Sequence, residues 1–119
     1  MSKLMTATTL SIGALILLVG TAKPLAATGQ DDAVKKGEQV YAAQKCQTCH
    51  SIAGKGGKAN PLDGVGKKLS ADDIKAWIVT PTEMTKKSGS TKKPPMPNRY
   101  SKLPAADIDA MVAYLASLK

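Results

Sequence analysis

The sequence predicts an all-α fold, built from about three to four helices in one domain. Apolar residues recur every three or four positions in separate segments, which is the period of one face of an α-helix. No segment alternates apolar and polar residues in the manner of a half-buried strand. At 119 residues the chain has room for one domain and a short segment removed by processing.

The N-terminal residues 1–22 have the pattern of a signal peptide. Lys3 supplies a positive charge, and residues 10–19 form a short apolar core. The small residues that follow this core fit a cleavage site, with Gly20 and Ala22 in the pattern. We therefore expect export to the periplasm or another extracytoplasmic location.

Processing sets the expected domain boundaries. Cleavage at any point from residue 22 to residue 27 suits the pattern, followed by a flexible lead-in at residues 23–30 and the folded domain at residues 31–119. The alternative is an uncleaved anchor, because residues 4–22 carry no charge. The threonine-rich first half of that segment makes it a weak membrane span, which favours cleavage.

The first predicted helix covers about residues 31–44. Asp31 and Asp32 place negative charge at its N-terminus, where the helix dipole favours it. The apolar face consists of Val34, Gly37, Val40 and Tyr41. Glycine inside a helix costs about 1 kcal/mol relative to alanine, so Gly37 is either a tolerated glycine or a point of close contact with another helix.

A second helix is predicted after a glycine-rich loop. Ser70 is a good N-cap, and Pro81 is expected to end the helix. Its apolar face consists of Ile74, Trp77 and Ile78. Residues 82–102 show neither a helical nor a strand period, and we interpret them as loop.

The last helix is predicted to begin at Leu103 and Pro104 and to continue to the C-terminus. Its apolar stripe consists of Leu103, Ile108, Met111, Val112, Leu115 and Leu118.

Both cysteines and the single histidine of the chain fall in the C-x-x-C-H motif of residues 46–50. This pattern is typical of covalent haem attachment, in which Cys46 and Cys49 form thioethers and His50 is an axial iron ligand. A zinc site would need four ligands, and no second pair of Cys or His is present. A disulfide across two residues would stabilise little. A redox-active dithiol is the main alternative, although no βαβ pattern accompanies the motif.

The composition also favours a bulky cofactor. The chain has one Trp, three Tyr and no Phe, so few large side chains are available to fill a core. A haem group would supply the missing apolar area in a domain of this size.

The sixth iron ligand decides whether such a haem transfers electrons or binds small ligands. With no second histidine, the candidates are methionines. Met111 lies on the apolar stripe of the last helix, and Met84 lies in a polar stretch. Met96 is flanked by prolines that stiffen its loop, which suits a ligand better than a core residue. We favour Met96, with Met84 or no sixth protein ligand as alternatives.

Across residues 31–118 the chain resembles the class I c-type cytochromes. The specific part of the resemblance is the C-x-x-C-H motif followed by Met96-Pro97. The other matching positions are Gly37, Tyr41, Ala42, Ala43, Asn60, Pro61, Leu62, Trp77, Ile78, Pro81, Tyr114 and Leu115.

This resemblance implies a cytochrome c-like fold that wraps around one covalently attached haem c. It implies that the first and last helices cross near Gly37 and Tyr114. Cys46 and Cys49 would carry the haem, and His50 and Met96 would be the axial ligands. Pro61 would supply the carbonyl that holds the histidine ring, and Trp77 would approach a haem propionate.

The lysines indicate the kind of partner. The formal net charge is +8, and lysines concentrate in the loops at positions 55, 58, 67, 68, 86, 87, 92 and 93. A positive rim around a haem edge would attract acidic redox proteins. Nucleic acid is a poor candidate, because the chain is expected to be exported and no aromatic residues interleave with the lysines. We expect a monomer, with membrane contact only if the N-terminal segment is retained.

The sequence thus predicts a periplasmic one-electron carrier of a respiratory or related chain, and not an enzyme. Two alternatives remain at this point. One is an open haem that acts as a peroxidase or binds small ligands, and the other is a haem-free C-x-x-C thiol oxidoreductase.

Overall fold

The computed structural model describes residues 26–119, with side chains from residue 29 onward, and the predicted signal segment lies outside this range. The described chain is mostly helical, as predicted. Its helices are α1 (Ala26–Ala43), α2 (Val65–Lys68), α3 (Ala71–Val79), α4 (Pro81–Ser88) and α5 (Ala105–Ser117), with 3₁₀ turns at Cys46–Thr48 and Asn98–Lys102. The described chain also contains three very short strands: β1 (His50–Ile52), β2 (Lys55–Gly56) and β3 (Asn60–Pro61). Within the described residues, no helix combines the length and apolar character needed to cross a membrane.

Helices α1 and α5 cross at Gly37, which confirms the predicted contact between the first and last helices. A Cβ atom at Gly37 would overlap the carbonyl oxygen of Ala110 and the Cβ of Tyr114. Only glycine allows the two backbones to approach this closely. Beside the crossing, the Tyr41 and Tyr114 rings pack edge to face with centroids 5.7 Å apart. The crossing therefore explains the glycine in α1.

The core draws on three helices and the second 3₁₀ turn. Its buried members are Tyr41, Ile74, Ile78, Tyr100, Ile108, Met111 and Leu115. Helix α3 presents its apolar face to α5, and its N-terminus is capped as predicted, because the Ser70 side chain accepts a hydrogen bond from the backbone N–H of Asp73 at 3.1 Å. The predicted apolar faces of α3 and α5 are thus the faces that form the core.

Helix α4 was not predicted from the sequence. Its residues, PTEMTKKS, are nearly all polar, so they have no apolar stripe to reveal a helical period. Pro81 follows the end of α3 and also begins α4, where a missing N–H costs nothing. Gly89, with φ of 64°, ends the helix. The interpretation of residues 82–102 as loop was wrong for this first part.

Two further differences concern short or weakly patterned segments. Helix α1 begins at Ala26, so the predicted lead-in at residues 23–30 is helical from that residue. The glycine-rich loop after the motif holds a small sheet in the order β2-β1-β3. Strands of two or three residues are too short for alternation to be detected in a sequence.

Candidate functional site

A cavity of about 800 Å³ opens beside the core, within the size range of small-molecule and cofactor sites. Its walls come from the end of α1, the C-x-x-C-H motif, α3, α5 and the segment that follows α4. The apolar part of the lining includes Leu62, Val65, Leu69, Ile74, Ile78, Met111 and Leu115. The cavity therefore offers a mostly apolar enclosure of the kind that a large flat apolar group requires.

The motif forms one wall because the chain turns sharply after α1. Lys45 adopts a left-handed conformation with φ of 57°, and the 3₁₀ turn Cys46–Thr48 follows at once. His50 then begins β1. This path brings Cys46, Cys49 and His50 into the lining together, with Cys46 half-buried and Cys49 exposed.

The His50 ring is held by a backbone carbonyl. Its Nδ1 lies 2.9 Å from the carbonyl oxygen of Asn60. A carbonyl only accepts hydrogen bonds, so Nδ1 must carry the proton, and Nε2 keeps the lone pair that a metal needs. The Tyr41 hydroxyl donates to the His50 carbonyl at 3.4 Å. The imidazole is thus set in the tautomer of a metal ligand.

The prediction that Pro61 supplies this carbonyl was wrong by one residue. In the parallel pairing of β1 with β3, His50 lies opposite Asn60 and Ser51 lies opposite Pro61. Pro61 is exposed and does not line the cavity, whereas Asn60 does. The register of two short strands decides the partner, and that register could not be derived from the sequence.

Met96 lines the cavity and packs against the edge of the core cluster. It belongs to residues 90–97, here called the Met96 segment, which has no regular structure. Pro94, Pro95 and Pro97 line the cavity with it. Met84 is half-buried on α4 but does not line the cavity. Met111 lines it too, but is only 2% exposed and packs in the core cluster, as its place on the apolar stripe predicted.

The remaining predicted site residue, Trp77, also lies in the cavity wall and is half-buried. Three polar residues that the sequence did not indicate lie in the same lining, Thr85, Ser88 and Ser90, together with Lys92 of the predicted positive rim. Two of them are on α4, the helix without an apolar stripe, so no sequence signal marked them.

A second unpredicted feature is the pair formed by Arg99 and Tyr100, which both line the cavity. The guanidinium donates a hydrogen bond to the Tyr100 hydroxyl at 3.0 Å and lies 4.9 Å from the centre of its ring. Arg99 is thereby held as a fixed positive charge at the cavity.

The electrostatic environment of the Cys46 thiol does not suit a redox dithiol. Burial raises the pKa of the Cys46 thiol, and the positive charge of Arg99 only partly opposes this. Reactive cysteines of C-x-x-C oxidoreductases need a lowered pKa, because the thiolate is the nucleophile. Burial, assisted by the nearby Cys46 and Tyr114, likewise raises the pKa of Tyr41 to about 12, so its hydroxyl remains a donor at neutral pH.

The donor set and the enclosure together fit haem c. Two thiols, an imidazole with Nε2 free and a thioether line one mostly apolar cavity. Thioether and imidazole are the donors that hold haem iron in electron-transfer proteins.

Comparison with known proteins agrees with this geometry. The family model for cytochrome c matches residues 34–119. A curated relative, cytochrome c-555 of Methylococcus capsulatus, is 30% identical over 103 residues, which is 86% of this chain and 76% of the relative. No solved structure matches the chain at a significant level. The chain therefore belongs to the cytochrome c family, whose function is electron transfer at haem.

Proposed function

We propose that the protein is an exported monohaem carrier, which passes single electrons between partner proteins of a respiratory or related chain. The observation that carries the proposal is the meeting of the C-x-x-C-H motif and Met96 in one cavity. The bound haem would supply a one-electron couple between Fe(II) and Fe(III).

Each cavity residue has a defined role in this proposal. The thiols of Cys46 and Cys49 form the covalent attachment. His50 would hold the iron through Nε2, because the Asn60 carbonyl fixes the orientation of the ring and would increase its basicity. The Met96 thioether would supply a second iron ligand, and the apolar side chains of α3 and α5 would exclude water. Trp77 is assigned to the propionate end of the haem.

The proposed ligand set favours a carrier over an enzyme. With protein ligands on both axial positions, no iron site is left for a peroxide or a gas. Methionine ligation also raises the reduction potential relative to two nitrogen ligands. The raised pKa of the Cys46 thiol argues against a thiol oxidoreductase.

The surface charge supports docking of acidic redox proteins. Lys45 and Lys92 line the cavity and are exposed, and Lys86 and Lys87 are exposed on the last turn of the adjacent α4. A positive surface at the cavity would speed the encounter with an acidic partner at low ionic strength. We further propose a periplasmic monomer, released by removal of residues 1–22.

The ligand assignment is tested by comparing Met96→Ala with Met84→Ala. The oxidised unchanged protein should show a low-spin haem with the weak far-red band of methionine bound to Fe(III). Met96→Ala should abolish this band, because it removes the sixth ligand. Met84→Ala should retain it, because Met84 lies outside the cavity lining. A band that survives in Met96→Ala and disappears in Met84→Ala would contradict the assignment.

A further inference from the structure

Few hydrogen bonds attach the Met96 segment to the rest of the protein, and Met96 itself packs against the core cluster. The segment begins after Gly89, with the backbone N–H of Ser90 bonded to the Thr85 carbonyl at 3.2 Å. The residue that follows its end, Asn98, accepts a hydrogen bond on its side chain from the Thr82 hydroxyl at 3.0 Å. Both of these contacts hold the segment to α4, on its own side of the cavity. Neither connects Met96 to the side that carries His50.

Lys92 makes that connection. Its Nζ donates a hydrogen bond to the carbonyl oxygen of Ala59 at 2.8 Å. Ala59 immediately precedes Asn60, whose carbonyl accepts from His50 Nδ1 at 2.9 Å. Among the hydrogen bonds of residues 26–119, this is the one that joins the Met96 segment to the loop holding the histidine ring.

Because of the prolines in the Met96 segment, the single hydrogen bond from Lys92 is enough to restrain the position of Met96. Pro94, Pro95 and Pro97 restrict the backbone on both sides of Met96. A stiff segment moves as a unit, so a link at Lys92 restrains the methionine four residues later. The hydrogen bond is charge-assisted, which makes it stronger than a neutral one.

We propose that Lys92 is a positioning residue, which ties the Met96 segment to the Ala59 carbonyl and thereby keeps the Met96 sulfur at the iron. The inference rests on the proposed ligation by Met96. Lys92 acts on the iron only through Met96, and it takes no part in the electron transfer itself.

Lys93 is the matched control, because it has the same charge and lies in the same segment. Within the described residues Lys93 donates no side-chain hydrogen bond and joins no ion pair. Lys92→Met and Lys93→Met each remove one positive charge near the haem. Any general electrostatic effect is therefore common to both variants, and only Lys92→Met removes the link to Ala59.

The experiment titrates the oxidised holoprotein with imidazole and follows the loss of the methionine–iron band. Imidazole can occupy the sixth position only when the Met96 segment moves away. Lys92→Met should bind imidazole about three- to tenfold more tightly than the unchanged protein, which corresponds to the loss of one hydrogen bond. Lys93→Met should remain close to the unchanged protein, and Lys92→Arg, which keeps a charged donor, should recover most of the effect.

Two outcomes would overturn the inference, and they are distinguishable. Equal imidazole affinity in Lys92→Met and Lys93→Met, with the band present in the unchanged protein, would refute the role of Lys92 and leave the ligation by Met96 intact. A band that is absent from the unchanged protein would overturn the ligation itself and the role of Lys92 with it.

Discussion

The two sides of the cavity are built differently. The His50 side is embedded in the fold: the motif follows α1, His50 pairs with β3, and its carbonyl accepts from the buried Tyr41. The Met96 side is an irregular segment whose residues, apart from the half-buried Ser90 and Met96, are exposed. His50 is therefore positioned by strand pairing and by backbone hydrogen bonds, whereas Met96 packs against the core from a segment that prolines and a few polar contacts hold in place.

This difference implies that the two ligands respond to different changes. Local opening requires less free energy where few apolar contacts and exposed hydrogen bonds hold a segment. We expect the Met96 side to open without unfolding of the helices, whereas His50 should be displaced only when the core is disturbed.

The largest effect is expected from the attachment cysteines. The double variant Cys46→Ala, Cys49→Ala should lose covalent haem, because both thiols in the cavity wall are removed. A haem stain on a denaturing gel measures this directly. The exposed Thr48→Ala, between the two cysteines, is the control and should retain the stain. Stain that persists in the double variant would refute attachment at the motif.

A smaller but global effect is expected at the helix crossing. Gly37→Ala forces a Cβ against the Ala110 carbonyl and should lower the free energy of unfolding by about 1–3 kcal/mol. Gly29→Ala, on the same helix with nothing within 4 Å of its Cβ, should stabilise the protein by up to about 1 kcal/mol. Denaturant titration of both variants measures these changes. If both substitutions changed the free energy of unfolding in the same direction, the close crossing of α1 and α5 at Gly37 would be contradicted.

The smallest effect is expected at the anchor of the Met96 segment. Thr82→Val removes the hydrogen bond to Asn98 and should weaken local stability by about 0.5–1 kcal/mol. Hydrogen exchange of residues 90–97 should accelerate, while exchange in β1 stays unchanged. Thr91→Val, which removes no side-chain hydrogen bond of the described residues, is the control. Equal acceleration in β1 would show that the two sides open together.

The sequence predicted the helices that have an apolar periodicity and the residues whose side chains are typical haem ligands or attachment points. The C-x-x-C-H spacing and the proline-flanked Met96 identified donors that the fold brings into one cavity. The apolar stripes located α3 and α5, and Gly37 marked the crossing. Each of these features is local in the sequence or repeats at the helical period.

The parts that were missed depend on tertiary geometry. The identity of Asn60 as the partner of His50 follows from the register of a two-residue strand. Helix α4 has no apolar stripe, so its polar contribution to the cavity had no sequence signal. The contact between Lys92 and Ala59 joins loops that are distant in the chain, and a lysine in a charged run does not reveal its acceptor.

The most direct test of the account is a spectroscopic redox titration of the purified holoprotein. A carrier with His50 and Met96 as axial ligands should show a single reversible one-electron transition and low-spin iron in both states. The methionine–iron band should appear only on oxidation. High-spin iron that binds carbon monoxide readily at neutral pH would contradict the account, because it would show that Met96 does not occupy the sixth position.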